Sequence, residues 1–283
     1  MEQPTDPAEP DNTAVRTALW RALHVEEDAQ PYVFYDTVGL KLVAPPDDWQ
    51  QRPDMKYTKR LRAAIVARAR FIEDLIIEQS KQGIRQYIIL GAGLDTFVQR
   101  RPDVASGLQV YEIDQPATLI WKQQRLNELG LGVPSYLHFV SVNFETTSWW
   151  EQLLHAGFDV HAPAVVACTG VSLYLTKEAI MDTLKHIKKF AAGSILAMTF
   201  YLPIELLDKE DKAMQEMGEK GARAAGTPFV SFFKPEEVIA LANDAGFKDA
   251  NIVSPQKIEQ IYFTGRSDGL LPADGEMFLM ART

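Results

Sequence analysis

Tyr87–Phe97 reads YIILGAGLDTF: an apolar run, two glycines around Ala92, then an acid and a hydroxyl. Glycines after a strand let the backbone turn sharply and approach a ligand, and nucleotide-type cofactors bind at such turns. The dinucleotide fingerprint G-x-G-x-x-G needs a third glycine where this chain has Thr96, and Asp95 falls where the next helix begins. A pyrophosphate wants that helix end free and positive. An aspartate there disfavours NAD and FAD and is suited to capping the helix instead. A cofactor without phosphate is not disfavoured, and S-adenosylmethionine (SAM) is one. Gly91, Ala92 and Gly93 are therefore candidate cofactor contacts, with a plain structural turn as the alternative.

Roughly twenty residues on, VYEIDQP ends a second apolar run, the place from which an acid bonds ribose hydroxyls. Asp114, with Gln115 beside it, is the candidate. Capping of the helix that Pro116 opens is the alternative, and Glu112 is a supporting residue. After VSVNFE, Asn143 is suited to accept from an adenine amino group and the Phe144 backbone to serve a ring nitrogen; an ordinary turn asparagine is the alternative. After ACTGVSLYLT, Thr169 and Gly170 belong at the mouth of the same site, and Thr176 caps the following helix. Cys168 reads as a core residue, because nothing near it in sequence lowers a thiol pKa.

Upstream, Leu61, Ile65, Arg68, Ile72 and Leu75 recur at helical spacing, so Arg68 interrupts an apolar stripe. It has no acid three or four positions away, whereas Arg70 has Glu73 and Asp74. A buried arginine needs an anion. The carboxylate of a methionine moiety, gripped as a fork, would serve; snorkelling past the core's edge is the alternative. The five histidines are scattered without metal-ligand spacing, and no G-x-S-x-G is present. No catalytic base stands out. Tyr201, Tyr32 and Tyr35 are candidate pocket-wall groups, with packing as the alternative. Met214 and Met217, near Leu206 and Leu207, lie in a helix read as packing or as a lid over substrate.

The elements that must position these residues alternate. Residues 1–12 read as a disordered tail, 13–58 as an N-terminal helical cap with a loop-rich second half, and 59–80 as a long helix ending near Gly83. Strands follow at QYIIL, LQVYEI, LHFVSV, PAVVACT and GSILAMTFYL, with helices between them. Helical stretches at 205–225 and 235–245 precede two last strands, DANIVS and GEMFLMA, expected to make an antiparallel edge. Apolar strands alternating with helices mean an α/β fold, a parallel sheet covered on both faces, whose ligands bind at the strands' carboxyl ends. Residues 13–283 are expected to be one domain, with 203–226 a helical lid insertion.

The 283 residues are 46% hydrophobic with a net charge of −9 and one cysteine. That length buries a real core. The acidity and lack of a basic cluster argue against a nucleic-acid partner. The lone cysteine, the absence of a signal peptide in the acidic N-terminus and of a membrane-length apolar run predict a cytoplasmic protein with no membrane partner.

QYIILGAGLDTF, VYEIDQPATLIWKQQRL, VVACTGVSLYLT, SFFKPEE, YFTGRSDGL and GEMFLMA together resemble the leucine carboxyl methyltransferase-like family of class I SAM-dependent methyltransferases. In detail they resemble its bacterial O-methyltransferase branch, which includes polyketide-tailoring members, from about residue 13 to the end. The resemblance implies a Rossmann-like, seven-stranded sheet with a reversed final hairpin, SAM as methyl donor, and an oxygen acceptor, often a carboxylate. It places Arg68 on the methionine carboxylate, Gly91 in the turn, Asp114 on the ribose, and Asn143 with Phe144 on the adenine. Two departures stand out: relatives often carry Asp where this chain has Asn143, and Glu where it has Thr169. The expected function is SAM-dependent O-methylation of a small molecule, in secondary metabolism. The alternatives are a SAM-binding protein without turnover, or methylation of a protein C-terminal carboxylate.

Overall fold

The computed structural model describes residues 12–142, 148–224 and 226–283. Its strands are β1 (Gln86–Leu90), β2 (Gln109–Asp114), β3 (Leu137–Ser141), β4 (Ala164–Cys168), β5 (Ile195–Tyr201), β6 (Asp249–Val253) and β7 (Glu276–Arg282). They form a seven-stranded sheet in the order β3-β2-β1-β4-β5-β7-β6. Every pairing is parallel except the two that β7 makes. The reversed strand thus enters between β5 and β6.

The helices are α1 (Asn12–Glu27), α2 (Val38–Val43), α3 (Lys59–Lys81), α4 (Phe97–Arg100), α5 (Pro102–Ala105) and α6 (Pro116–Glu128). There follow α7 (Trp149–His155), α8 (Lys177–Ile187), α9 (Lys209–Ala224), α10 (Pro235–Asp244) and α11 (Pro255–Tyr262). Thr176 caps α8 by accepting from Ala179 N at 3.2 Å. Three elements differ from the expected pattern. The loop-rich stretch after α1 contains α2. The helix after β1 is split into α4 and α5, because Pro102 has no N–H to continue α4 but fits the first turn of α5. α11 separates the last two strands, so they are not a tight hairpin.

Side chains alternate across the sheet and build two cores. Ile88 and Leu90 of β1 join Tyr111, Ile113, Val166, Cys168 and Leu196 in a layer packed under α7, α8 and α10. Tyr87 and Ile89 join Val110, Val165, Ala167 and Ala197 in the opposite layer, under α3 and α11. β1 and β4 are buried at every position, which is why β4, and β1 after Gln86, read as apolar runs. Each such aliphatic side chain contributes roughly 1.5–3 kcal/mol. A smaller cluster of Leu19, Ala22, Leu23, Trp49 and Met55 seats α1.

Chain direction matters most for the site. From β1 the chain winds outward to β2 and β3, and from β4 it winds the other way to β5. The strand order switches between β1 and β4, whose last residues Leu90 and Cys168 are level. In open α/β sheets ligands bind beside such a switch.

Candidate active site

The switch is flanked by the residues that follow β1 and β4. After β1, Gly91 and Gly93 take positive φ of 70° and 50°, conformations that side chains disfavour. Gly91 N and Ala92 N both donate to Ile113 O, at 2.9 and 3.1 Å. A Cβ on Gly91 would overlap Val171 Cγ2, so the glycine lets the β1 turn touch the segment after β4. Asp114 accepts from Gly93 N at 2.6 Å through Oδ2 and from Gln115 N at 2.7 Å through Oδ1. Its carboxylate therefore sets the shape of the glycine turn as well as the entry to α6.

Asp95 accepts from Phe97 N at 2.8 Å, capping the start of α4 as its position suggested. Thr96, which stands where a dinucleotide-binding chain would have glycine, has its own task. Its hydroxyl donates to Asp36 Oδ2 at 2.8 Å and accepts from Arg100 Nε at 2.8 Å. Asp36 is fully buried and also accepts from Arg21 Nε at 2.8 Å and from Val38 N and Gly39 N. Burial pushes its carboxyl pKa up, but Arg21, Arg100 and the Gly39 N–H outweigh that and hold it below the usual range. Arg21 Nη2 then reaches Leu94 O at 2.7 Å. One buried carboxylate thus ties α1, α2 and α4 to the glycine turn.

On the β4 side, Thr169 is half-buried and Gly170 takes a φ of 71°. Gly170 N donates to Thr199 Oγ1 at 2.8 Å. A Cβ there would lie 3.0 Å from Arg68 Nη2 and 3.2 Å from Nη1, so the guanidinium lies flat against this glycine. Arg68 finds its anion inside the protein: Nη1 donates to Glu276 at 3.0 and 3.2 Å and to Tyr201 Oη at 3.2 Å. Burial opposes its charge, yet Glu276 and Tyr201 hold its pKa above the ordinary arginine value. The Tyr201 hydroxyl is held well above the usual phenol range, first by burial and then by Glu276. All three bonds use Nη1. The Nη2–Nε edge makes no hydrogen bond among the described residues and is left for a planar anion gripped as a fork. The donor set therefore fits the carboxylate of a methionine moiety.

Beside Arg68 a cavity of about 170 Å³ opens. Three helices wall it, each with residues at i, i+3, i+4 and i+7. α1 presents Thr13, Arg16, Thr17 and Trp20; α3 presents Leu61, Ala64, Ile65 and Arg68; α9 presents Asp211, Met214, Gln215 and Gly218. Leu173, Tyr174, Phe229 and Phe232 complete a mostly apolar, aromatic wall, and Tyr201 and Glu276 close it at the sheet.

The structure thus brings Arg68, Thr169 and Gly170 together on one side of the switch, and Gly91, Ala92, Gly93, Asp114 and Gln115 on the other. Asn143 and Phe144 lie outside the described residues. Tyr32 and Tyr35 do not wall this cavity. They line a separate surface hollow with Arg70, Arg100 and Arg101, because the segment after α1 passes beside Arg70 of α3, where Val33 O accepts from Arg70 Nη1. Met217 does not face it either: it is 69% exposed, one helical step from the stripe that carries Met214. Glu112 is buried against Lys122 of α6, and burial pushes its pKa up to about 7. Cys168 is buried, its thiol pushed up to about 12, so it is no nucleophile. Glu276 and Asp36 were missed: Glu276 meets Arg68 across 208 residues of sequence and Asp36 meets Thr96 across 60.

A family model described as leucine carboxyl methyltransferase matches residues 14–188. YktD of Bacillus subtilis (strain 168), provisionally named an S-adenosyl-L-methionine-dependent methyltransferase, is 32% identical over 206 residues, covering 72% of this chain and 67% of that protein. A protein of Mycolicibacterium paratuberculosis (strain ATCC BAA-968 / K-10) with the same provisional name is 31% identical over 181 residues, covering 64% of this chain and 58% of that protein. Among solved structures, a DUF574 family protein from Streptomyces avermitilis MA-4680 aligns with a TM-score of 0.58 at 15% identity, covering 97% of this chain and 98% of that one. A provisionally named methyltransferase from Thermobifida fusca YX aligns with a TM-score of 0.60 at 16% identity, covering 98% and 96%. At those identities the structural likeness carries the fold.

Proposed function

This chain belongs to the leucine carboxyl methyltransferase family and is a SAM-dependent methyltransferase, and from that premise we propose that it methylates an oxygen, carboxylate or hydroxyl, of a small molecule held between α1, α3 and α9. The observation that carries this reading is the aromatic cavity joined to Arg68 and Gly170 at the sheet's switch point. When bound, SAM supplies a methyl group on a sulfonium, which leaves as a neutral thioether while an acceptor oxygen's lone pair forms the new C–O bond.

The chain's own residues do the rest. The Arg68 edge takes the cofactor's carboxylate, with Gly170 giving the room. Asp114 takes the ribose from the turn it orders, with Gln115 beside it; the adenine falls to Asn143 and Phe144. Glu276 holds Arg68 in place and supplies an acid beside the methionine end. That offsets the loss of the glutamate that relatives often carry at Thr169. The apolar walls exclude water and orient the acceptor, which is most of what transfer from an activated donor requires. A carboxylate acceptor needs no base, since it is already ionised at neutral pH.

Incubation with methyl-labelled SAM and a panel of aromatic acids and phenols tests this. Label in base-labile esters or base-stable ethers is the expected result. Tight binding of S-adenosylhomocysteine with no label in any small molecule would favour the non-catalytic reading; label in a peptide's terminal carboxylate would favour a protein acceptor.

A further inference from the structure

α9 walls the cavity yet is thinly anchored: of its 16 residues only Asp211 and Ala222 are buried. Asp211, 1% exposed, lies in the first turn and meets Asp274 of the segment that leads into β7. Its Oδ2 accepts from Arg60 Nη2 and from Asp274 N, each at 2.7 Å. Its Oδ1 and the Oδ1 of Asp274 are both buried, with no partner that can donate to them among the described residues. The two carboxyl groups nonetheless lie within hydrogen-bond reach of each other. As carboxylates they would repel. One proton between them turns that repulsion into a hydrogen bond and supplies the missing donor. Burial, and then the Asp274 carboxyl, accordingly pushes the Asp211 pKa up to about 6, with Arg60 opposing.

The surrounding charges do not remove the conflict. Arg60 of α3 is shared: it also meets Asp208 at 3.0 Å and Glu210 at 3.6 Å. Arg16 of α1 lines the same cavity, and Arg68 is already held by Glu276. Asp274 is fixed on both sides, because Ala273 N donates to Arg60 O at 3.1 Å and Gly275 O accepts from Leu202 N at 2.9 Å. Of the two partners, α9 is therefore the one with freedom to move.

We infer that Asp211 and Asp274 share one proton, and that this proton latches α9 over the cavity, so that the cavity opens as pH rises. With the proton in place the pair carries one negative charge and closes. When the proton leaves to solvent, two carboxylates face each other and α9 is released. The raised group stabilises the closed form at low pH, and that contribution is lost as pH rises through about 6. The latch does not depend on which acceptor is methylated; it rests on the cavity as the space that α9 covers.

Hydrogen–deuterium exchange of the full chain at pH 5 and pH 7.5, corrected for the intrinsic exchange rate, tests this, with α8 as the internal reference. Protection of α9 relative to α8 is expected to fall about tenfold, the ratio given by a carboxyl held at about 6 when closed and returned to its ordinary value when open. In Asp274→Asn the side-chain amide donates to Asp211 at every pH, so α9 is expected to stay protected at pH 7.5 and to lose its pH dependence. Unchanged S-adenosylhomocysteine binding shows that the variant folds. Wild-type protection of α9 that tracks α8 at both pH values would overturn the inference, as would Asp274→Asn retaining the wild-type pH dependence. Asp208, Asp211 and Asp274 also offer oxygens within 4.8 Å of one another. Protection at pH 7.5 that persists with magnesium or calcium and vanishes with EDTA would assign those oxygens to a cation and overturn the shared proton. Failure of methyl transfer would sink the wider reading and leave the exchange result standing.

Discussion

Single side chains at this site are specified by their backbone neighbours as much as by their own chemistry. Arg68 is held flat against Gly170 and pinned at one nitrogen by Glu276 and Tyr201. Gly170→Ala adds a Cβ 3.0 Å from Nη2 at a φ of 71°, so both the turn and the guanidinium must shift. S-Adenosylhomocysteine affinity is expected to fall by about tenfold or more, approaching the loss in Arg68→Ala, as a charge-assisted fork would give. Isothermal titration of both variants checks this; full affinity in Gly170→Ala would detach Arg68 from the cofactor. Thr96 illustrates the opposite relation between residue and expectation. Its presence disfavours a dinucleotide by the lack of a glycine, but its hydroxyl is what joins the turn to Asp36. Thr96→Val is expected to cost about 1–3 kcal/mol, because it leaves a buried carboxylate and Arg100 short of a partner. A urea denaturation midpoint equal to wild type would contradict it.

At the scale of elements, the site is made by helix faces. The residues at i, i+3, i+4 and i+7 of α1, α3 and α9 meet at one cavity, so a side chain's neighbour on the same helix has a wholly different environment. Met214 and Met217 show the contrast. Met214→Trp fills the space beneath α9 and is expected to block acceptor methylation while sparing S-adenosylhomocysteine binding. Met217→Lys, at a 69% exposed position, is expected to change stability by less than about 0.5 kcal/mol and to leave methylation intact. Parallel rate and binding measurements on the two variants separate them. Equal loss in both would mean that α9 acts by its overall position and not by this face. α9 is clasped at its first turn, where Asp208 and Asp211 pair with Arg60 of α3 at 3.0 and 2.7 Å.

For the molecule as a whole, the buried carboxyls set a pH dependence with a defined sign. Burial pushes Glu112 from 4.5 up to about 7 despite Lys122, and burial with Asp274 pushes Asp211 from 3.8 up to about 6. Between the ordinary and the raised values the folded chain holds more protons than the unfolded one. The stability these two carboxyls contribute therefore falls as pH rises across about 4 to 7, while His138 and His186, whose pKa values burial lowers, act the other way near its upper end. Asp36 and Asp28 act the other way, held low by Arg21 and Arg100 and by His24 and Arg62; their contribution is lost as pH falls below about 4. The denaturation midpoint is expected to be higher at pH 5.5 than at pH 8, with a flatter slope in Glu112→Gln and Asp211→Asn; a midpoint that rises through that range would contradict it. Among the described residues no helix is long and apolar enough to cross a membrane.

All seven strands, their order of appearance and most of the helices were readable from the chain alone. Buried strands are mostly apolar runs, and helix stripes repeat every three or four residues. The same local logic marked Gly91, Gly93, Asp95, Asp114 and Arg68, because a turn, a cap and a stranded charge are visible within a few residues. Arg68 was read as waiting for a ligand's anion, yet it already holds Glu276, 208 residues away. Asp36, 60 residues from Thr96, the placement of β7 between β5 and β6, and the meeting of three helix faces were equally invisible. The physical reason is that sequence periodicity records only which face of an element is buried. Which faces meet, and which charges they bring within 3 Å of each other, is decided when the sheet closes its order and the helices pack across it.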